Sequence, residues 1–403
     1  MSPIRTQTRL HYGFIAASLL AVFLATAELH PANSAPKDEI SGSPAKGNSQ
    51  SNLNWQSKSP LIVPTQFQKI QLAVDAAKPG DSIQILPGTY SEQVNISKNL
   101  KVIGSGEENT FIKAPITLTP GSFGHLSIVD INKGASVSLS NLTVTGPGSA
   151  PCGVGSLYGG IFVVEGARLY LNSATVTKIH DTPKSFCFPS GSAIRIGNLI
   201  SDGHATIHNV KINEYQENGI LVLGLSSTAA IFNNTITGFG VAPGLINGGI
   251  SVARGGSATI THNKISQNYC TSVVGLDCGR DPINQAQAAG IGISDPSSGT
   301  SVIDGNEVSA SDVGIYLYGG AATVTENRIS DSRFFGIVLQ NANYTVSHDE
   351  ISGGEIGVGV VADSVDTVGT LVAEKITATS SAPVKEISCC GFKATAIIQK
   401  PAP

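Results

Sequence analysis

The chain has 403 residues, of which 13% are charged and 6% aromatic, with 45 glycines and a formal net charge of −4. That length suits one large domain or two ordinary ones. Few bulky residues and abundant glycine favour a repetitive β structure with tight corners. No basic run that would neutralise phosphates is present, which excludes nucleic acid as a partner class.

Residues 1–27 read as a secretory signal. Arg5 and Arg9 precede an apolar run from Phe14 to Ala25, and Ala25-Thr26-Ala27 fits the small-x-small cleavage rule. The run is shorter than the ~20 residues that span a bilayer, so the expected location is secreted or periplasmic. Membrane contact is expected only through an uncleaved signal. Residues 28–60, rich in Ser, Pro, Asn, Gly and Lys, read as a flexible linker. The folded domain is expected over 61–400.

The segment 65–78 has helical spacing at Phe67, Ile70, Val74 and Ala77. Thr65 is placed to cap its start and Pro79-Gly80 to end it. A helix here would cover the apolar end of a stacked structure.

From residue 160 a motif recurs: GIFVV (160–164), AIRI (193–196), GILVL (219–223), GISV (249–252), GIGIS (290–294), GIYLY (314–318), GIVLQ (336–340) and GVGVV (357–361). Successive starts lie 21 to 41 residues apart, with the shortest spacings near 22, in the range of solenoids. Alternation is of period two, as in strands. Strands this short bury their apolar side only when coils stack about 4.8 Å apart. Asn234, Asn263, Asn306 and Asn327, continued by Asp349, recur at one corner and predict a hydrogen-bonded ladder along the axis. The insertions 146–158, 180–191, 239–248 and 268–288 leave the same point in successive coils. They are expected to gather on one side, where binding surfaces form.

Within each motif the side chains pointing outward are Phe162, Val164, Arg195, Leu221, Leu223, Ser251, Ala253, Ser294, Tyr316, Tyr318, Val338, Gln340 and Val361. This stripe lacks the paired carboxylates of a glycoside hydrolase and the oxygen ligands of calcium. It is expected to be covered by the inserted loops or by a partner. The polar constellation lies in those loops: His180, Asp181, Lys184, Arg195, Arg254, Asp277, Arg280 and Asp281. A uronate lyase needs a base for the proton next to the carboxylate and a cation to neutralise it. The catalytic candidates are therefore His180 and Lys184 as base, with Arg195 and Arg280 as neutralisers. Arg254, Asp277, Asp281, Tyr316 and Tyr318 are substrate-binding candidates, the tyrosines as stacking surfaces.

Of six cysteines, Cys152 and Cys187 lie in loops of successive coils and Cys270 and Cys278 in one loop, giving two candidate disulfides. Cys389 and Cys390 are adjacent; a bond between them would be strained, and their state stays open. No zinc spacing is present, and no cofactor or metal is expected. His204 and His208, four apart, would carry any metal-delivery role.

The stretch QKIQLAVDAAKPGDSIQILPGTYSEQVNISKNLKVIGSG (68–106) resembles the opening of pectin-esterase-like β-helix proteins, with GTYSE at 88–92. The later repeats resemble the wider right-handed β-helix group of the pectin-lyase-like superfamily. The resemblance implies an all-β, single-stranded right-handed parallel β-helix with an N-terminal capping helix. Members of that superfamily bind, cleave or epimerise acidic polysaccharides. The Asp pairs of the esterases, the Asn-Thr-Asp and Gly-His-Gly blocks of polygalacturonases, and the Asp-Pro-His-Asp block of alginate epimerases are all absent from this sequence. The expected function is that of an exported monomer that binds or processes an acidic polysaccharide outside the cytoplasm, with a polysaccharide or another cell-envelope component as its partner. The alternatives are a non-catalytic surface or adhesion module and, third, metal delivery.

Overall fold

The computed structural model describes residues 59–153, 155–184, 191–224, 226–272, 277–294, 300–377 and 382–400. The expected signal, most of the linker and Cys187 lie outside them. The first strand is Leu61–Val63.

The strands are short and form two sheets, one of eleven strands and one of twenty-one, in which every strand pairing is parallel. A regular coil gives one strand to the eleven-stranded sheet and two to the other, as in Gly248–Ala253, Ser257–Thr261 and Lys264–Ser266. Ile161, Ile194, Ile220, Ile250, Ile291, Ile315, Ile337 and Val358 stack in register, and all are fully buried. Each is a β-branched side chain on a pleated surface, and each covers its neighbours above and below. That is how strands too short to stand alone bury a common core.

The helix is present but shorter than its pattern, Ile70–Ala76. Thr65 does not cap it. The amides of Ile70 and Gln71 donate instead to the Glu92 carboxylate at 2.9 and 3.0 Å. An anion at the helix start does what a capping hydroxyl would, and Glu92 comes from the GTYSE stretch. Ile70, Ala73 and Val74 are buried under the helix, and Phe67 packs on the core from the turn before it.

The ladder has the predicted members. Nδ2 of Asn234 donates to Oδ1 of Asn263 at 2.9 Å, Asn263 to Asn306 at 3.0 Å, Asn306 to Asn327 at 3.0 Å and Asn327 to Asp349 at 2.9 Å. Positive φ falls on the residue before each ladder member, at Asn233, His262, Gly305, Glu326 and His348. The ladder side chains can therefore point inward while the preceding residue makes the corner. Asn306→Ala would leave the Asn263 amides without the oxygen they donate to and the Ile260 carbonyl without its side-chain donor. The expected loss is about 2 kcal/mol in urea unfolding at unchanged slope.

Candidate functional site

Tyr158, from the first insertion, packs with Phe162 and Val164, and Pro282 and Ile283, from the longest, meet Tyr316 and its apolar neighbours on the outer face of the eleven-stranded sheet. One outward row of that face runs in register through Asp130, Phe162, Arg195, Leu221, Ser251, Gly292, Tyr316, Val338, Gly359 and Lys385. Phe162, Val164, Val338 and Val361 are fully buried outside the main core. The apolar stripe is thus interior to the folded chain.

Arg195 is the one cation in this row before the last coil, and it is 3% exposed. Its guanidinium carbon lies 4.2 Å from the centre of the Tyr158 ring, and the His125 ring stacks on the same ring at 3.6 Å, with the two ring planes nearly parallel. Two groups this close to one ring centre must take opposite faces, so histidine, phenol and guanidinium form a three-layer stack. Burial, reinforced by Arg195, lowers the His125 pKa to about 4, which leaves its imidazole neutral. Glu217 stands within the field of Arg195; burial pushes its carboxyl up to about 7, against the pull of the guanidinium. Burial raises Tyr158 as well, and Arg195 again opposes it. His125 follows the turn Ser122–Gly124, which is docked on Asp130. The Ser122 amide donates to Asp130 Oδ2 at 2.7 Å and its hydroxyl to Oδ1 at 3.0 Å.

The other expected site residues are placed elsewhere. Asp181 is fully buried and ties neighbouring coils together. Its carboxylate accepts from the Leu157 amide (2.8 Å), the Ser156 hydroxyl (2.9 Å) and Gln216 Nε2 (3.2 Å). His180 Nδ1 donates to the Asp181 carbonyl at 2.8 Å, and burial lowers the pKa of the ring. Lys184 Nζ sits 4.0 Å over the Phe239 ring, whose edge also meets His180. His180 and Lys184 therefore gather on Phe239, while Arg195 gathers on Tyr158. Arg254 makes the corner leaving the strand Gly248–Ala253 with φ 54°, at the edge of the sheet away from the insertions.

Cys270 and Cys278 are disulfide-bonded, as expected, and staple the longest insertion. Cys152 is also disulfide-bonded, and Cys389 is joined to Cys390. Within the stapled insertion, Asp281 accepts from the amides of Ile283 and Asn284, and Arg280 pairs with Glu355 at 3.5 Å. Asp277 is exposed. Tyr316, expected to stack a sugar, is 1% exposed; its hydroxyl meets Gln340 and the Pro282 carbonyl beneath the insertion. Tyr318 is half-buried against the same apolar cluster. On the other sheet, His204 is held by Asp202 and Thr228, and His208 stacks on Phe232.

Sequence reasoning missed His125, Tyr158, Glu217 and Asp312. Three of these share a signal. Tyr158, Glu217 and Asp312 each stand two residues before the motif glycine, at Gly160, Gly219 and Gly314. Asp312 is fully buried, and burial pushes its carboxyl up to about 6. It pairs with Arg333 at 2.6 Å and accepts from the amides of Cys270 and Ala288, the two ends of the stapled insertion.

The family described as right handed beta helix region matches residues 127–370. The chain belongs to that right-handed β-helix family. Among solved structures, the fold is similar to the Agl-KA catalytic domain (TM-score 0.52, 15% identity, covering 85% of this chain and 69% of that chain). It is also similar to the catalytic unit of a GH87 α-1,3-glucanase from Streptomyces thermodiastaticus strain HF3-3 (0.50, 15%, 86% and 67%). The periplasmic alginate epimerase AlgG is a third such β-helix (0.50, 12%, 86% and 84%). No curated protein matches the chain. Identities this low establish the shared fold alone. Among the described residues, no helix is long and apolar enough to cross a membrane.

Proposed function

We propose that this chain is an exported β-helix protein that binds and processes an acidic polysaccharide on the outer face of its eleven-stranded sheet. The observation that carries this reading is the stack of His125, Tyr158 and Arg195 beside Glu217. Uronate chemistry begins with loss of the proton next to the carboxylate. That step needs a cation to neutralise the carboxylate and a base of suitable pKa. Arg195 fills the first role. Glu217, half protonated near neutral pH, and the neutral imidazole of His125 supply proton acceptors, and the Tyr158 hydroxyl supplies a donor. Reprotonation from the opposite ring face gives epimerisation; expulsion of the neighbouring glycosidic oxygen gives an unsaturated lyase product. The names of the similar β-helices, an α-1,3-glucanase and a periplasmic alginate epimerase, agree with a polysaccharide and with a location outside the cytoplasm.

The test is incubation of the purified chain with alginate, polygalacturonate and neutral α-1,3-glucan. Unsaturated products are followed by ultraviolet absorbance and epimer ratios by NMR. The reading expects conversion of an acidic polymer, lost by at least about a hundredfold in Arg195→Ala, as when one electrostatic stabiliser is removed. Wild-type conversion by Arg195→Ala overturns the site, and no binding or conversion of any acidic polymer overturns the function. The burial of Arg195 and Glu217 favours a second reading, a non-catalytic surface module in which the stack is structural. Under that reading glycans are bound unchanged, and Arg195→Ala lowers stability rather than turnover.

A further inference from the structure

The stapled insertion lies over the outer face at Tyr316, which meets the Pro282 carbonyl, and reaches Glu355 through the Arg280 pair. Beyond it, over the last coils, lies an open cleft of about 610 Å³. Its apolar lining includes Ile283, Phe334 and Ile387, all partly exposed. Two cations line it from separate elements, Arg280 on the insertion and Lys385 on the final strand Ala382–Ser388. The Arg280 side chain is 75% exposed. Its partner Glu355 holds it at 3.5 Å while leaving the guanidinium other donors. Two further carboxylates at the rim are engaged by backbone: Asp281 accepts from Ile283 and Asn284, and Glu386 accepts from the Ala396 amide at 2.7 Å. Lys385 has no ion-pair partner among the described residues.

An apolar floor flanked by two available cations suits an acidic sugar, whose C–H face packs on Phe334 while its carboxylate meets Arg280 or Lys385. We infer that this cleft is a second subsite for the same acidic polymer, remote from Arg195; the inference rests on the function proposed above. Lys385 lies in the outward row of Arg195, seven strand steps further on. At about 4.8 Å per step the two cations stand about 34 Å apart along the axis. Only a long chain engages both, so the preferred ligand is a polymer and not a short oligosaccharide.

The experiment uses the full chain with long polygalacturonate and alginate and with their trisaccharides, measured by calorimetry at fixed salt. Arg280→Ala with Lys385→Ala changes exposed side chains only, and an unchanged thermal melt confirms the fold. The expected result is a loss of at least about tenfold, roughly 1.4 kcal/mol, in affinity for a long polymer. Trisaccharide affinity at the Arg195 site stays at its wild-type value. Unchanged long-polymer affinity in the double variant overturns the subsite while leaving the proposed function in place. Binding of no acidic polymer by the wild type overturns both.

Discussion

Replacing Asp312 by alanine should destabilise the fold by about 4 kcal/mol and release the insertion 270–288. Asp312 is fully buried, and its carboxylate is where both ends of that insertion meet the solenoid. The Cys270 amide donates at 2.8 Å and the Ala288 amide at 3.2 Å, while Arg333 closes the other oxygen at 2.6 Å. Removing one partner of a buried ion pair leaves a charge without compensation, at a cost of about 3–5 kcal/mol. Two stranded amides add to this, and the partial exposure of Arg333 subtracts from it. Urea unfolding reads the total, and limited proteolysis within 277–288 reads the local release. A variant within about 1 kcal/mol of wild type, with the insertion equally protected, would show that the carboxylate does not clasp the loop.

Asp312→Asn separates charge from shape. Burial raises the folded pKa to about 6, above the ordinary carboxylate value of about 4, although Arg333 opposes it. A group raised on folding contributes stability that is full below its ordinary value and lost as pH rises through the folded one. Asparagine does not titrate, so its penalty should be larger at pH 5 than at pH 8. The opposite slope would mean that Arg333, not burial, dominates at this site.

The scaffold was legible because its physics repeats. A small residue, most often glycine, and a branched residue recur from coil to coil, and one alternation suffices to place Ile250 in the core and Ser251 outside it. The ladder was legible for the same reason. The site was not, because each of its parts occurs once. Tyr158, Glu217 and Asp312 occupy a coil position that elsewhere holds Gly191, Asn247, Ala288, Phe334 or Glu355, so no constant residue type marks them. Their chemistry depends on which insertion folds over them. His125 comes from a turn ahead of the first motif, outside any register the repeats define. Lys184 and His180 were plausible as a base, yet Phe239, a residue with no charge to draw attention, captures both. Another feature was in plain sight on the second sheet. Lys264, Glu307, Arg328, Glu350 and Lys375 alternate in sign along one outward row, with pairs at 3.2 and 3.1 Å. Alternation of this kind penalises a slipped coil more than it stabilises the correct one.

The ladder does not end in an amide, and this makes the last coils sensitive to pH. Asp349 takes the fifth rung and Glu374 the sixth, with the Asp349 amide donating to the Glu374 carboxylate at 3.3 Å. Burial pushes Asp349 up to about 6, with Asn327 opposing and Asp304 adding to the rise. Burial and the neighbouring Asp349 push Glu374 up to about 8. Both folded values lie above the ordinary carboxyl range, so the stability these two groups contribute is full below about pH 4 and falls as pH climbs through 6 and then 8. Near neutrality the pair shares one proton; above pH 8 two like charges face each other at the end of a buried row. Asp349→Asn is a permanent mimic of the protonated acid and continues the amide series. It should leave stability nearly unchanged at pH 5 and raise it by about 1–2 kcal/mol at pH 8.5, a figure held low because Glu374 is partly open to solvent. Paired urea titrations at the two pH values decide the matter. A gain of equal size at both would mean that packing at the rung, not ionisation of the pair, sets the stability of the C-terminal coils.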